Sequence, residues 1–169
     1  MLPYYANAYT WTDPDFYPDF PRHDPGYMKW FKERYNDGEW EGIKGQPAKK
    51  TRVFKTEDLR VVDNRMAQTA SEWIKNHARD DKPFFMYLCF MKLHNPTLPS
   101  EQGKGKAPGG HPYLDSLMEL DDNTGKVIQA IRDSGIEKNT IVVWFPDNGA
   151  WVDVWPDADY TPFRSAKGT

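Results

Sequence analysis

The chain has 169 residues, 38% of them hydrophobic and 15% aromatic, with a formal net charge of −3. Its mean hydropathy of −0.82, and the lack of any apolar run near the ~20 residues that span a bilayer, point away from a membrane protein. Acidic and basic residues are interspersed, so no basic face is offered to nucleic acid. The single cysteine, Cys89, excludes an internal disulfide and a cysteine-based zinc site. The first residues, MLPYYANAYTW, lack a basic region followed by an apolar core, so no signal peptide is expected.

Residues 1–55 are rich in aromatics, prolines and acidic residues and show no sustained period. They read as irregular, with one short helix near Met28 to Tyr35, and as too aromatic for a disordered linker. A lid or rim across a larger body fits them, with GIKGQPAKK as a loop. From Thr56 the pattern sharpens. Leu59, Val62, Met66, Thr69, Ala70, Trp73 and His77 recur at three- and four-residue steps and predict a helix from Glu57 to His77, with Thr56 as its N-cap. Asp80-Asp81-Lys82-Pro83 ends it. Phe84 to Phe90 is an apolar run of strand length without alternation, which predicts a strand covered on both faces. A long Gly- and Pro-rich loop follows. Tyr113, Leu117, Leu120, Thr124, Val127, Ile128 and Ile131 mark a second helix ending near Ser134-Gly135. TIVVWF is a second buried strand. Helix, strand, helix, strand is an α/β order, and a strand–helix–strand unit implies a parallel pair with a right-handed crossover.

In such sheets ligands bind beyond the carboxyl ends of the strands. Lys92 and His94 follow the first strand; Asp147 and Asn148 follow the second. Parallel strands would place all four on one rim. The Asp and Asn oxygens suit a hard cation, and the lysine and histidine suit an anionic substrate. The plainer readings stand beside these. Asn148-Gly149 between apolar runs is a hairpin signal, which Pro146 weakens by removing a ladder donor. His94 alone reads as an ordinary loop histidine and Lys92 alone as a solvated charge. Cys89 reads as buried and inert, Asp121-Asp122 as a solvent-facing pair. GKGKAPGG reads as a flexible loop rather than a phosphate cradle, since it lacks the P-loop order.

Taken together, KPFFMYLCFMKLHNPTLPS, YLDSLMELDDNTGKVIQAIRDSGIEKNTIVVWFPDNG and WPDADYTPFRSAKGT resemble the sulfatase family, and within it the bacterial arylsulfatases. The order of the pieces carries the resemblance: a Pro-Phe-Phe strand, His-x-Pro, Asp-x-x-x-Gly in a helix, Asp-Asn-Gly after a strand, then Lys-Gly. It implies part of an alkaline-phosphatase-like α/β sandwich, with a mostly parallel sheet flanked by helices. Residues 56–169 would belong to the catalytic domain and 1–55 to a lid or rim. It also implies that Asp147 and Asn148 ligate a divalent cation, Ca²⁺ before Mg²⁺. His94 and Lys167 would be the catalytic, sulfate-binding residues. Lys92 has no counterpart. On this resemblance the hairpin reading gives way to a metal-binding loop.

The family cleaves sulfate esters by attack of a hydrated formylglycine on sulfur, with a cation offsetting the charge. The Cys- or Ser-x-Pro-x-Arg motif that yields formylglycine does not occur in this chain, nor do the family's early aspartate pair and central lysine–histidine pair. Pro146 and Ser165 also depart from the usual Ser-Asp-Asn-Gly and Arg-Gly-Ala-Lys. The resemblance therefore implies an internal fragment whose partner is the remainder of a sulfatase chain, with formylglycine in the parent protein, periplasmic or secreted, and an inactive chain by itself. A fragment of a related phosphodiesterase and a non-enzymatic binding or structural module remain the alternatives.

Overall fold

The computed structural model describes residues 3–6, 38–54, 56–94, 97–150 and 166–167. The short helix expected near Met28 to Tyr35, and the stretch 151–165, lie outside them. Part of the region read as irregular is a sheet. Strands β1 (Pro3–Ala6), β2 (Gly38–Glu41) and β3 (Lys49–Arg52) pair antiparallel in the order β1-β2-β3. Tyr4 faces Trp40, and Trp40 faces Lys50 beyond a register shift at Glu39/Trp40. The turn between β2 and β3 bends at Gly45, whose φ of 84° lies in the left-handed region that glycine occupies without a Cβ clash.

The first predicted helix is in two pieces. Thr56–Arg60 forms a 3-10 turn, and helix α1 runs Val62–His77. Thr56 therefore does not cap the α-helix; the N-cap is Val61, which makes no side-chain cap. Asp63 supplies the acidic first turn instead, favourably placed at the positive end of the helix dipole. Arg65 of α1 reaches Glu39 of β2 at 3.8 Å and Asp58 at 3.6 Å, and Arg52 of β3 reaches Asp58 at 2.5 Å. These contacts tie the sheet to the helix.

Helix α2 spans Pro112–Asp133, close to the sequence expectation. Pro112 sits at its first turn, where the missing N–H costs nothing, and His111 caps it through the Tyr113 amide. Its end is a Schellman motif: Gly135 N donates to Arg132 O at 2.9 Å and Ile136 N to Ile131 O at 3.3 Å. Gly135 takes φ 73° there.

The two helices pack together and run in the same direction. Asn64 meets Asn123, Ser71 meets the Lys126 carbonyl, Ile74 packs with Ala130 and Ile131, and Lys75 lies beside Asp133. Parallel neighbouring helices are what repeated strand–helix crossovers produce. Residues 84–91 return antiparallel to α1. Phe84 meets Trp73 edge-on at 4.9 Å, and Met91 ends at Asp63.

The two apolar runs differ from expectation in their burial. Phe84, Met86, Leu88 and Phe90 are partly buried, whereas Phe85, Tyr87 and Cys89 are exposed. That period of two is the mark of a strand with one face packed, not two. Ile141 to Phe145 is exposed throughout. Neither run joins a ladder, and among the described residues the only sheet is antiparallel. The physical reason at 84–90 is that the helices pack against one face of the run only. Cys89, expected to be buried, is exposed for the same cause.

Candidate active site

His94 sits in a short turn directly after the 84–91 run, with its amide donating to Met91 O at 3.1 Å. Two buried carboxylates hold the surrounding chain. Asp63 accepts the amides of Met91 at 2.8 Å and Lys92 at 2.9 Å. Glu119 of α2 accepts the Ser100 amide at 2.9 Å and the Ser100 hydroxyl. Lys92 joins the two sides. Its ammonium donates to Glu119 Oε2 at 2.7 Å, Leu98 O at 3.0 Å and Arg60 O at 3.3 Å. The Lys92 and Glu119 side chains are 4% and 6% exposed.

Lys92 is therefore not the solvated charge the sequence suggested, nor a cation on the rim. Its ammonium is buried among Arg60 O, Leu98 O and Glu119. Burial alone would raise the Glu119 carboxyl, but the hydrogen bonds from Lys92 and Ser100, with the lysine charge, leave it below the ordinary glutamate range. Burial dominates at Asp63 and pushes its carboxyl up, against the two amides and Lys92. Gly103 presses against Glu119, where an added Cβ would collide with the carboxylate.

The second candidate group is the bend at Asp147-Asn148-Gly149, in which Asp147 and Asn148 are exposed and Gly149 is half-buried. The Lys167 amide donates to Ala150 O at 3.0 Å, which brings the lysine of the Ala-Lys-Gly sequence next to this bend. The phenol of Tyr87 is held above its usual range, first by its hydrogen bond with Cys89 and also by the charge of Asp147. The loop 91–94 lies at the N-terminal end of α1, the end from which a strand–helix unit presents its ligand rim.

Asp147 and Asn148 offer oxygen donors, the chemistry a hard cation takes, but only two side chains against the six to eight oxygens of Ca²⁺. Among the described residues no group of three or more His, Cys, Asp or Glu could close such a shell. The donor type fits a divalent cation; the donor number is partial.

The Gly-rich loop 103–110 binds no phosphate through the amides of Gly105 and Ala107, because Asp115 takes both at 2.8 Å. Those amides hold the Asp115 carboxyl below its ordinary range. Asp121 and Asp122 are exposed, as expected. Sequence reasoning missed Asp63, Ser100 and Glu119. A signal was present: Asp63 and Glu119 stand in the buried stripes of their helices, at steps where the period calls for apolar residues.

The sulfatase family profile matches residues 3–168. The chain is 36% identical over 83 residues to N-acetylgalactosamine-6-sulfatase of Rattus norvegicus, covering 49% of this chain and 16% of that one. It is 35% identical over 88 residues to human arylsulfatase A, covering 52% and 17%. It is 32% identical over 114 residues to a sulfatase of Formosa agariphila, covering 57% and 20%. Among solved structures it matches the PsFucS1 sulfatase of Pseudoalteromonas sp. with a TM-score of 0.79 and 29% identity, over 92% of this chain and 31% of that one. The chain thus spans between a sixth and a fifth of these curated relatives. Its α/β fold is that of a solved sulfatase, and the chain belongs to the sulfatase family.

Proposed function

We propose that this chain forms one part of a sulfuric ester hydrolase site, with an arylsulfatase-type substrate. One observation supports the reading: the Lys167 amide donates to the carbonyl of Ala150, two residues after Asn148. A cation-binding pair and an anion-binding lysine lie close in the fold in this reading, as a divalent cation and a sulfate group together require. In this reading Asp147 and Asn148 contribute oxygens to Ca²⁺, or to Mg²⁺. The cation, when bound, would offset sulfate charge. Lys167 pairs with a sulfate oxygen, and the His94 imidazole donates a proton to the substrate oxygen side. The two apolar runs would belong to the mostly parallel sheet of an alkaline-phosphatase-like sandwich.

No Cys- or Ser-x-Pro-x-Arg sequence occurs in the chain, so the formylglycine nucleophile belongs to the parent protein in this reading. The purified chain should leave a chromogenic aryl sulfate intact. Turnover above background that disappears in Asp147→Ala would overturn the assignment of an incomplete site. Calorimetry tests the cation part. With two protein donors and water for the rest, Ca²⁺ should bind with a dissociation constant on the order of millimolar, the range of weakly organised sites. Asp147→Ala with Asn148→Ala should abolish that heat. Micromolar binding that survives both substitutions would place the cation elsewhere.

A further inference from the structure

We propose that Lys92 and Glu119 are positioning residues for His94, acting as a buried clamp that ties the turn at 91–94 to Leu98, Ser100 and helix α2. The inference rests on the reading of His94 as a sulfate-contacting residue, and it assigns a role to a lysine for which the family resemblance offered none.

The loop hangs from two helices. Its entry is fixed where the Met91 and Lys92 amides meet Asp63 in the first turn of α1. Its exit is fixed where the Ser100 amide and hydroxyl meet Glu119 of α2. The His94 turn follows the entry directly, its amide donating to Met91 O at 3.1 Å, and a cross-link between the two anchors holds that turn against both helices. Lys92 is that cross-link. Its backbone belongs to the entry, while its ammonium reaches the exit at Leu98 O and Glu119. A neutral side chain of the same length would fill the space but could not donate to Leu98 O or Arg60 O. The ammonium also cancels the negative charge that Glu119 needs to hold Ser100. The alternative role, direct contact of Lys92 with an anionic substrate, is excluded by its three partners and its burial.

A ¹⁵N-labelled sample of the full 169-residue chain tests the clamp by amide exchange and by the His94 imidazole resonances. The variant Lys92→Met with Glu119→Gln removes both charges and keeps both volumes, and the glutamine can still accept the Ser100 amide. Exchange at the His94 amide should rise at least tenfold while amides in the Ile74–Ala130 contact stay within twofold. The His94 imidazole resonances should move, and those of His77 and His111 should not. Ser100→Ala, which keeps the ion pair and the Ser100 amide bond but removes the hydroxyl bond to Glu119, should give the same change at smaller amplitude. Lys75→Met, at the exposed pair with Asp133, should change none of these readings. Unchanged His94 exchange and resonances in a folded double variant would overturn the clamp. If that variant does not fold, Lys92→Gln, which removes the ammonium and keeps a donor, takes its place, and unchanged His94 exchange and resonances there overturn the clamp. Inorganic sulfate separates this inference from the reading beneath it. Failure of sulfate to shift the wild-type His94 resonances would overturn the sulfate role, while the exchange data decide the clamp. If sulfate does shift them, the folded double variant should need at least fivefold more of it.

Discussion

At the scale of single residues, the buried ion pair is where charge and stability are most tightly linked. Glu119 has its folded-state carboxyl below the ordinary glutamate value of about 4.3. Its stabilisation is therefore present above that value and lost as pH falls through the folded one. Asp63, raised by burial, works with the opposite sign: its contribution is complete at low pH and is lost as pH rises through its folded value. Glu119→Gln removes the first effect and leaves the Lys92 charge buried without its counter-charge. We expect a loss of roughly 3 kcal/mol at pH 7, at the low end for breaking a buried pair because glutamine keeps an accepting oxygen. Urea unfolding followed by circular dichroism should show that gap narrowing below about pH 4. A gap constant from pH 7 to 3 would show that the carboxylate's charge is not what the site uses. Which residues were legible follows from how each binds. Asp147, Asn148, His94 and Lys167 could be named because they stand in short local motifs. The roles of Lys92, Asp63 and Glu119 could not, because their partners lie 27 to 29 positions away in sequence.

At the scale of elements, the helices were legible and the strands were not, for a physical reason in each case. Helices α1 and α2 bury one stripe each, and a stripe leaves a 3.6-residue period in the sequence. Glycine after the last turn gave α2 its end, since only a residue without Cβ takes φ 73° easily. The strands β1 to β3 are four residues each, and GEWE and KKTR carry too little apolar alternation to register. At Phe84 to Phe90 it was the burial on both faces that the structure contradicted. Phe85, Tyr87 and Cys89 are apolar enough to suggest a covered face, yet burial depends on neighbours that a local run does not reveal. The contact between the helices is the mechanical centre of the chain. Ile74, 1% exposed, meets Ala130 and Ile131 with Trp73, Phe84 and Ile136 around them. Ile74→Ala should cost about 2–4 kcal/mol, the transfer term plus the cavity left behind. A loss below about 1 kcal/mol in urea titration would mean that the two helices do not form one cooperative unit.

At the scale of the whole molecule, two described apolar runs expose large side chains to solvent. Phe85 is 89% exposed, Ile141 93%, Val143 71% and Trp144 64%. Single exposed apolar residues are ordinary on a protein surface, but a contiguous group of large ones marks an interaction face or an aggregation hazard. The backbone adds to the hazard, because the runs 84–90 and 141–145 enter no ladder among the described residues and a strand-length run without a neighbour is a template for pairing with another chain. The sulfatase structure this chain resembles is about three times its length, so the same fold there is part of a larger body. The isolated chain should therefore self-associate as its concentration rises, measurable by sedimentation velocity. Phe85→Lys with Val143→Lys places a charge on each run at a site already open to water, so neither substitution should disturb the Ile74 contact or the helical circular dichroism signal. The double variant should weaken association at least tenfold. Association of equal strength in a variant that keeps its helical signal would show that the contact lies on another face. A monomeric wild-type chain at high concentration would show that the exposed runs do not pair with a second copy at all.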